Sequence, residues 1–215
     1  YAVVTALDEQ VGRLRSRLRE LGVERNTMLW FCSDNGPEGN PTPKGRYQGS
    51  AGPFRGRKRS LYEGGVRVPG LLVWPAVVQQ PRTVGVPCTT SDYFPTVLDV
   101  LGLKVPAGRP YDGVSLLPLI DGAVTERPKP IGFQFGSQAS LTDNRYKLVH
   151  NSGKRRPRSD NGTVPTDEYE LYDLIDDPSE TKNIADRVPE ILARMKETLL
   201  QWQASCRASE EGNDY

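Results

Sequence analysis

The sequence predicts an α/β fold: a sheet sandwiched by helices, followed by a small antiparallel sheet with a carboxy-terminal helix. Three observations carry this. A helical apolar pattern over residues 1–21 leads into a short, wholly apolar run at 27–33. A second apolar run at 70–74 follows a long loop rich in glycine, proline and basic residues. Past about residue 125 the texture changes to short strand-like segments closed by one more helical pattern. The predicted organisation is therefore an α/β portion over 1–125, an antiparallel subdomain with its helix over 126–205, and a polar, disordered tail over 206–215.

Each element has its own reason. Val4, Leu7, Val11, Leu14, Leu18 and Leu21 alternate spacings of three and four, the period of one helix face, and Gly22 is a stop. Thr27–Ser33 is of strand length and apolar throughout, which predicts a buried strand paired in parallel. Asp34-Asn35-Gly36-Pro37 ends it abruptly. Residues 36–70 hold no periodic segment and read as one long, shaped loop. Gly70–Trp74 is a second strand, closed by Pro75. Ser91 is the expected cap of a helix over 92–101, with Phe94, Val97, Leu98 and Leu101 on one face and Gly102 as its stop. Strands follow at 131–135, 139–142, 146–150 and 169–173, with a solvated basic hairpin tip around 154–162. Pro189 starts the closing helix, which sets Val188, Ile191, Leu192, Met195, Leu199 and Trp202 on one side.

Composition excludes some functions. The 28 Lys and Arg against 27 Asp and Glu leave a formal net charge of +1, so no global field selects nucleic acid or a membrane surface. No apolar stretch approaches the roughly 20 residues of a membrane span. The three cysteines, Cys32, Cys88 and Cys206, are odd in number and lack C-x-x-C spacing, so they read as free thiols. Asn161-Gly-Thr163 is a glycosylation sequon that matters only in a eukaryotic secretory setting.

Two clusters carry chemistry. Ser33-Asp34-Asn35-Gly36 sits where an apolar strand meets a glycine-rich loop, the place where α/β sheets bind ligands. A carboxylate beside a carboxamide supplies hard oxygen donors of the kind Ca²⁺ or Mg²⁺ takes, although Asn-Gly alone is also a common turn. About twenty residues later comes Gly56-Arg57-Lys58-Arg59-Ser60-Leu61-Tyr62-Glu63-Gly64-Gly65-Val66-Arg67-Val68-Pro69. A compact ammonium held between glycines suits a tetrahedral oxyanion such as sulfate or phosphate, although taken alone the stretch reads more readily as a solvated basic loop.

Together the clusters resemble the type I, formylglycine-dependent sulfatases of the alkaline-phosphatase-like superfamily, and specifically the carboxy-terminal portion of an arylsulfatase-like or N-acetylgalactosamine-6-sulfatase-like member. The resemblance spans most of the chain. It runs through Thr5–Gly12, Ser33–Gly36, Gly52–Gly56 with Lys58 and Tyr62–Pro69, Ser91–Thr96, Asp112–Leu116, Tyr146-Lys147-Leu148, and Glu170–Leu174 with Asp177-Pro178.

The resemblance implies hydrolysis of a sulfate ester on a sulfated small molecule or glycan. It implies Asp34 and Asn35 as ligands of a divalent cation, usually Ca²⁺ with Mg²⁺ possible, and Lys58 as the catalytic contact to the sulfate. Arg57 and Arg59 stand where the family often has glycine, which leaves open whether either assists Lys58. Tyr62, Glu63 and Arg67 are expected to hold the loop in shape, and His150 to be a surface residue at a strand end. No Cys or Ser lies in a C-x-P-x-R or S-x-P-x-R context. The formylglycine nucleophile, paired aspartates and active-site histidines are therefore expected upstream, and this chain alone is expected to be inactive. A phosphoesterase of the same superfamily and a non-catalytic ion- or oxyanion-binding module are the alternatives. The resemblance also implies a periplasmic, secreted or lysosomal setting, with no nucleic-acid partner.

Overall fold

The computed structural model describes residues 2–39, 49–151 and 169–214. The basic hairpin tip and the Asn161 sequon lie outside them. The described chain forms two compact units that interleave in sequence, one of residues 1–33 and 69–84, the other of 34–68 and 85–215. This is a division by compactness, distinct from the change of texture near residue 125.

In the first unit, helix α1 (Ala2–Glu20) ends at Gly22, whose φ of +69° reverses the chain as a glycine stop does. It buries none of its side chains, and Val4, Leu7, Leu14 and Leu21 are exposed, so the periodic face predicted to seek a core is not covered within this unit. Strand β1 (Leu29–Cys32) pairs with β2 (Gly70–Val73) in antiparallel register, Leu29 opposite Val73 and Cys32 opposite Gly70. The parallel, buried strand expected from the apolar run is corrected on both counts: β1 is mostly half-buried, with Phe31 exposed. A parallel partner needs a crossover, usually a helix, to carry the chain back. Here the described part of the connection holds only α2 (Glu63–Val66), a single helical turn.

The second unit holds a four-stranded antiparallel meander of β3 (Ile131–Phe135), β4 (Gln138–Thr142), β5 (Tyr146–Asn151) and β6 (Tyr169–Asp173). Strand alternation separates its two faces. Ala139, Leu141, Leu148 and Leu171 pack against Met195 and Leu199 of helix α5 (Pro189–Glu210), with Ile191, Leu192 and Trp202 at the margin. Gly132 makes room for Trp202, since a Cβ there would lie 2.4 Å from the indole ring. The helix continues five residues past 205 and turns follow at 211–214, so the tail expected to be disordered extends α5 instead.

The opposite face of the sheet is polar yet buried: Gln138, Ser140, Thr142, Lys147, Asn151 and Glu170 are all withdrawn from solvent. Helix α3 (Tyr93–Val100) is preceded by a 3-10 turn over Thr90–Asp92. A Thr89–Asp92 capping box closes that turn, the N-cap of α3 is Asp92 in place of the expected Ser91, and Gly102 ends the helix as predicted. Asp92 is fully buried and bonds Arg127 in bidentate fashion at 2.7 and 2.8 Å. It also accepts the Thr89 and Val114 N–H groups, while Thr96 Oγ1 accepts that of Leu116. The Ser91–Thr96 and Asp112–Leu116 motifs thus form one packed junction, followed by the short helix α4 (Leu117–Ile120).

Candidate active site

The candidate site is made from two turns laid on each other. After β1 the chain enters Asp34-Asn35-Gly36-Pro37. Asp34 Oδ1 accepts the Asn35 N–H at 3.0 Å, and Asn35 Nδ2 donates to the Gly36 carbonyl at 2.8 Å. Gly36 N–H donates to Gly65 O at 2.9 Å, Lys58 N–H to Pro37 O at 3.1 Å, and Gly64 N–H to Arg55 O at 2.7 Å. Asp34 and Asn35 are thereby fixed beside the backbone that carries Lys58. The contact is close enough to demand glycine. A Cβ on Gly36 would meet Gly64 O at 1.9 Å, one on Gly64 would meet Gly56 O at 2.2 Å, and one on Gly65 would meet Ser60 O at 2.0 Å. Gly56 (φ +81°) opens the lysine loop and Arg59 (φ +75°) follows Lys58 in the left-handed region.

The charges of the loop converge on one residue. Lys58 Nζ lies 3.1 Å from Glu38 Oε2, and Arg59 bonds the other carboxylate oxygen. The Arg59 bond first, then the Lys58 bond, holds the Glu38 carboxyl below the ordinary glutamate range. Arg57 instead gives its guanidinium to the carbonyls of Gly49 and Glu38. All three cations therefore bear on the segment just past the Asp-Asn turn.

Behind this surface lies a buried bracing layer. Arg55 stacks on the Tyr62 ring, 3.9 Å from its centroid, and donates to Tyr172 Oη at 2.6 Å and to Glu170 and the Glu180 carbonyl at 3.3 Å. Glu170 also accepts from the hydroxyls of Tyr62 and Tyr172, and Asn151 donates to Tyr62 Oη. Burial, reinforced by the Glu170 charge, raises both phenols, which keeps them as donors. Lys147, wholly buried, bonds Glu63 Oε1 at 2.8 Å and pairs with Glu180 Oε1 at 3.3 Å. Glu180 Oε2 accepts the Glu63 N–H at 2.6 Å.

A family profile described as Sulfatase matches residues 1–103. Mouse steryl-sulfatase is 34% identical over 95% of this chain and 36% of its own length. Rat N-acetylgalactosamine-6-sulfatase is 37% identical over 58% of this chain and 24% of its own. A solved structure described under the metabolism of multiple glycosaminoglycans by Bacteroides thetaiotaomicron superposes with a TM-score of 0.75. It has 27% identity and covers 92% of this chain and 43% of that one. This chain belongs to the sulfatase family. It spans little more than a third of the mouse relative's length.

In this sulfatase chain the structure brings Asp34, Asn35 and Lys58 onto adjoining turns. Their donor chemistry fits a hard cation in part: two neighbouring side chains offer carboxylate and carboxamide oxygens. Among the described residues no group of three or more His, Cys, Asp or Glu gathers to complete a metal shell. Tyr62, Glu63 and Arg67 do shape the loop: Tyr62 and Glu63 are buried in the brace, and Arg67 bonds Glu63 at 3.3 Å. His150 is half-buried and stacks on Tyr169 with ring centroids 4.3 Å apart, at the expected strand end. Sequence reasoning met Arg55 and Lys147 only as members of matched motifs, gave neither a role, and did not name Glu180. The available signal was a lysine inside the apolar strand Tyr146–His150, where alternation leaves it facing inward with Val149.

Proposed function

We propose that this chain is the cation- and sulfate-binding part of an enzyme that hydrolyses a sulfate ester. In this reading Asp34 and Asn35 hold a divalent cation and Lys58 grips the sulfate. The observation that supports it is the Lys58 N–H bond to Pro37 O, which with the Gly36–Gly65 bond joins the lysine loop to the Asp34–Pro37 turn. Bound there, Ca²⁺, or Mg²⁺, adds positive charge beside the sulfate oxygens. Lys58 stabilises the charge that grows on the sulfuryl and leaving oxygens as the sulfur–oxygen bond breaks. Asp34 and Asn35 orient that site rather than react. In the net reaction the oxygen of water ends on sulfur and a proton ends on the released alcohol.

The attacking group belongs to this proposal as a formylglycine outside these residues, since no Cys or Ser here has the required context. The substrate class is a sulfated small molecule or glycan. The proposed setting is periplasmic, secreted or lysosomal. Among the described residues no helix is long and apolar enough to cross a membrane. The test uses the complete enzyme, with a chromogenic aryl sulfate and the matching aryl phosphate. Sulfate hydrolysis that disappears in Asp34→Ala together with bound Ca²⁺, and in Lys58→Ala with Ca²⁺ retained, is the expected result. Turnover of the phosphate alone, or wild-type metal content in Asp34→Ala, would overturn it.

A further inference from the structure

We propose that Lys147 is a positioning residue for the sulfate clamp, acting through Glu63 to fix the turn on which both Asp34–Pro37 and the Lys58 loop hang. This rests on the reading of Asp34, Asn35 and Lys58 given above. The starting point is a lysine with no solvent exposure on the polar face of the antiparallel sheet. Burying an ammonium costs several kcal/mol unless close partners compensate, and here they come from two distant segments. Glu63 is the first residue of α2, and Glu180 follows the Asp177-Pro178 turn. The two carboxylates and the ammonium close a triangle. Lys147 holds the Glu63 side chain at 2.8 Å, Glu180 holds the Glu63 backbone N–H at 2.6 Å, and Lys147 and Glu180 hold each other at 3.3 Å.

From that triangle the path to the candidate site is short. Gly64 and Gly65 follow Glu63 directly. Gly64 N–H is bonded to Arg55 O, three residues before Lys58, and Gly65 O takes the N–H of Gly36, next to Asn35. The Gly36 and Gly64 contacts leave no slack, because the atoms that block an added Cβ are backbone. A shift of Glu63 therefore moves both turns. Arg55 ties the same α2 region to β6 from the other end, through Tyr172 and Glu170, and reaches the Glu180 carbonyl as well. A buried ion triad is weak evidence for stability by itself, since apolar replacements of the same shape often do as well. What an apolar replacement lacks is the grip on Glu63.

The experiment uses the complete enzyme carrying Lys147→Met and, separately, Lys147→Met/Glu180→Gln. The double variant removes the ammonium together with one of its two carboxyl partners and leaves Glu63 with Arg67, so no isolated buried charge opposes folding. At a temperature where circular dichroism shows it folded, kcat for a chromogenic aryl sulfate is expected to fall on the order of 10²-fold. That is the scale of a 1 Å misplacement of a catalytic group. Inhibition by inorganic sulfate weakens in parallel, and Lys147→Arg restores part of kcat. A double variant with a lower thermal midpoint but unchanged kcat and sulfate inhibition shows a merely structural lysine and overturns the proposal. Lys58→Ala is measured alongside. If it leaves turnover intact the clamp reading fails, whereas a crippled Lys58→Ala beside a fully active double variant sinks only the role of Lys147.

Discussion

Gly36→Ala tests the closest contact in the candidate site. The added Cβ would stand 1.9 Å from Gly64 O and 2.9 Å from Gly64 C. Ordinary carbon–oxygen contact is thus violated by about 1.5 Å, and the obstacle is backbone that cannot rotate away as a side-chain tip would. The Gly64 carbonyl is itself enclosed, because Gly64 N–H is bonded to Arg55 O and Gly65 is packed against Ser60 and Arg57 carbonyls. Relief requires the Asp34–Pro37 turn to lift off α2, which breaks the 2.9 Å Gly36–Gly65 bond. Overpacking costs about 1–3 kcal/mol and the lost hydrogen bond about 1 kcal/mol, so the site is destabilised by about 2–4 kcal/mol. Because the lifted turn carries Asp34 and Asn35, the complete enzyme should lose bound Ca²⁺ and about 10²-fold in kcat. Thermal unfolding, metal analysis and aryl sulfate turnover measure the three effects. A Gly36→Ala enzyme with wild-type midpoint, metal content and kcat would refute the close-packing argument.

Lys58→Ala should lower kcat about 10²- to 10³-fold, the usual cost of removing one charge-stabilising donor. Arg57→Ala and Arg59→Ala should each cost less than about tenfold, because exposed Arg59 adds only a screened field and Arg57 is engaged by the Gly49 and Glu38 carbonyls; a crippled Arg57→Ala would reassign the clamp. Asp92→Ala leaves the Arg127 guanidinium buried and unpaired and should destabilise the fold by about 3–5 kcal/mol in chemical denaturation, while Asp99→Ala, on the exposed side of the same helix, should cost far less. Burial, aided by the like charge of Glu63, pushes the Glu180 carboxyl up to about 7 against the pull of Lys147 and the Glu63 N–H. Its folded value lies above its unfolded one. The associated stability is therefore complete below the ordinary value of 4.5 and lost as pH rises through about 7. Denaturation midpoints of Glu180→Gln between pH 4.5 and 8 should lack that fall, and an unaltered slope would exclude Glu180 as its source.

What could be read from the sequence was whatever depends on near neighbours. The meander followed from short alternating strands, and the α5 face from Met195, Leu199 and Trp202 at helical spacing. The Asp34-Asn35-Gly36 and Gly56–Pro69 signatures marked the candidate site without any coordinates. The direction of β1 was not legible, because an apolar run of strand length is equally compatible with either pairing. The buried polar face of the sheet was not legible for a different reason. Lys147 and Glu63 are 84 residues apart, and Glu180 stands 117 residues beyond Glu63. Alternation predicts which side chains share a face, but not what covers that face.

The Tyr62-Glu63-Gly64-Gly65 signature is best understood as two demands met by adjacent residues. Tyr62 and Glu63 point into the sheet, where Glu170, Lys147 and Asn151 require a hydroxyl and a carboxylate as partners. Gly64 and Gly65 face the carbonyls of Arg55, Gly56, Arg57 and Ser60 at distances no Cβ tolerates. Neither demand arises from chemistry on a substrate, and neither glycine has a positive φ, so backbone freedom does not explain them. The glycines are needed for close approach, and the polar pair for a buried face that would otherwise leave Lys147 and Glu170 uncompensated. A site that must hold a cation's ligands and an ammonium at fixed separation gains from such rigidity, because neither turn can shift without breaking bonds on the other. The stretch that most resembles a catalytic signature therefore acts as the scaffold, and in the proposed reading the chemistry falls to Asp34, Asn35 and Lys58 on its rim.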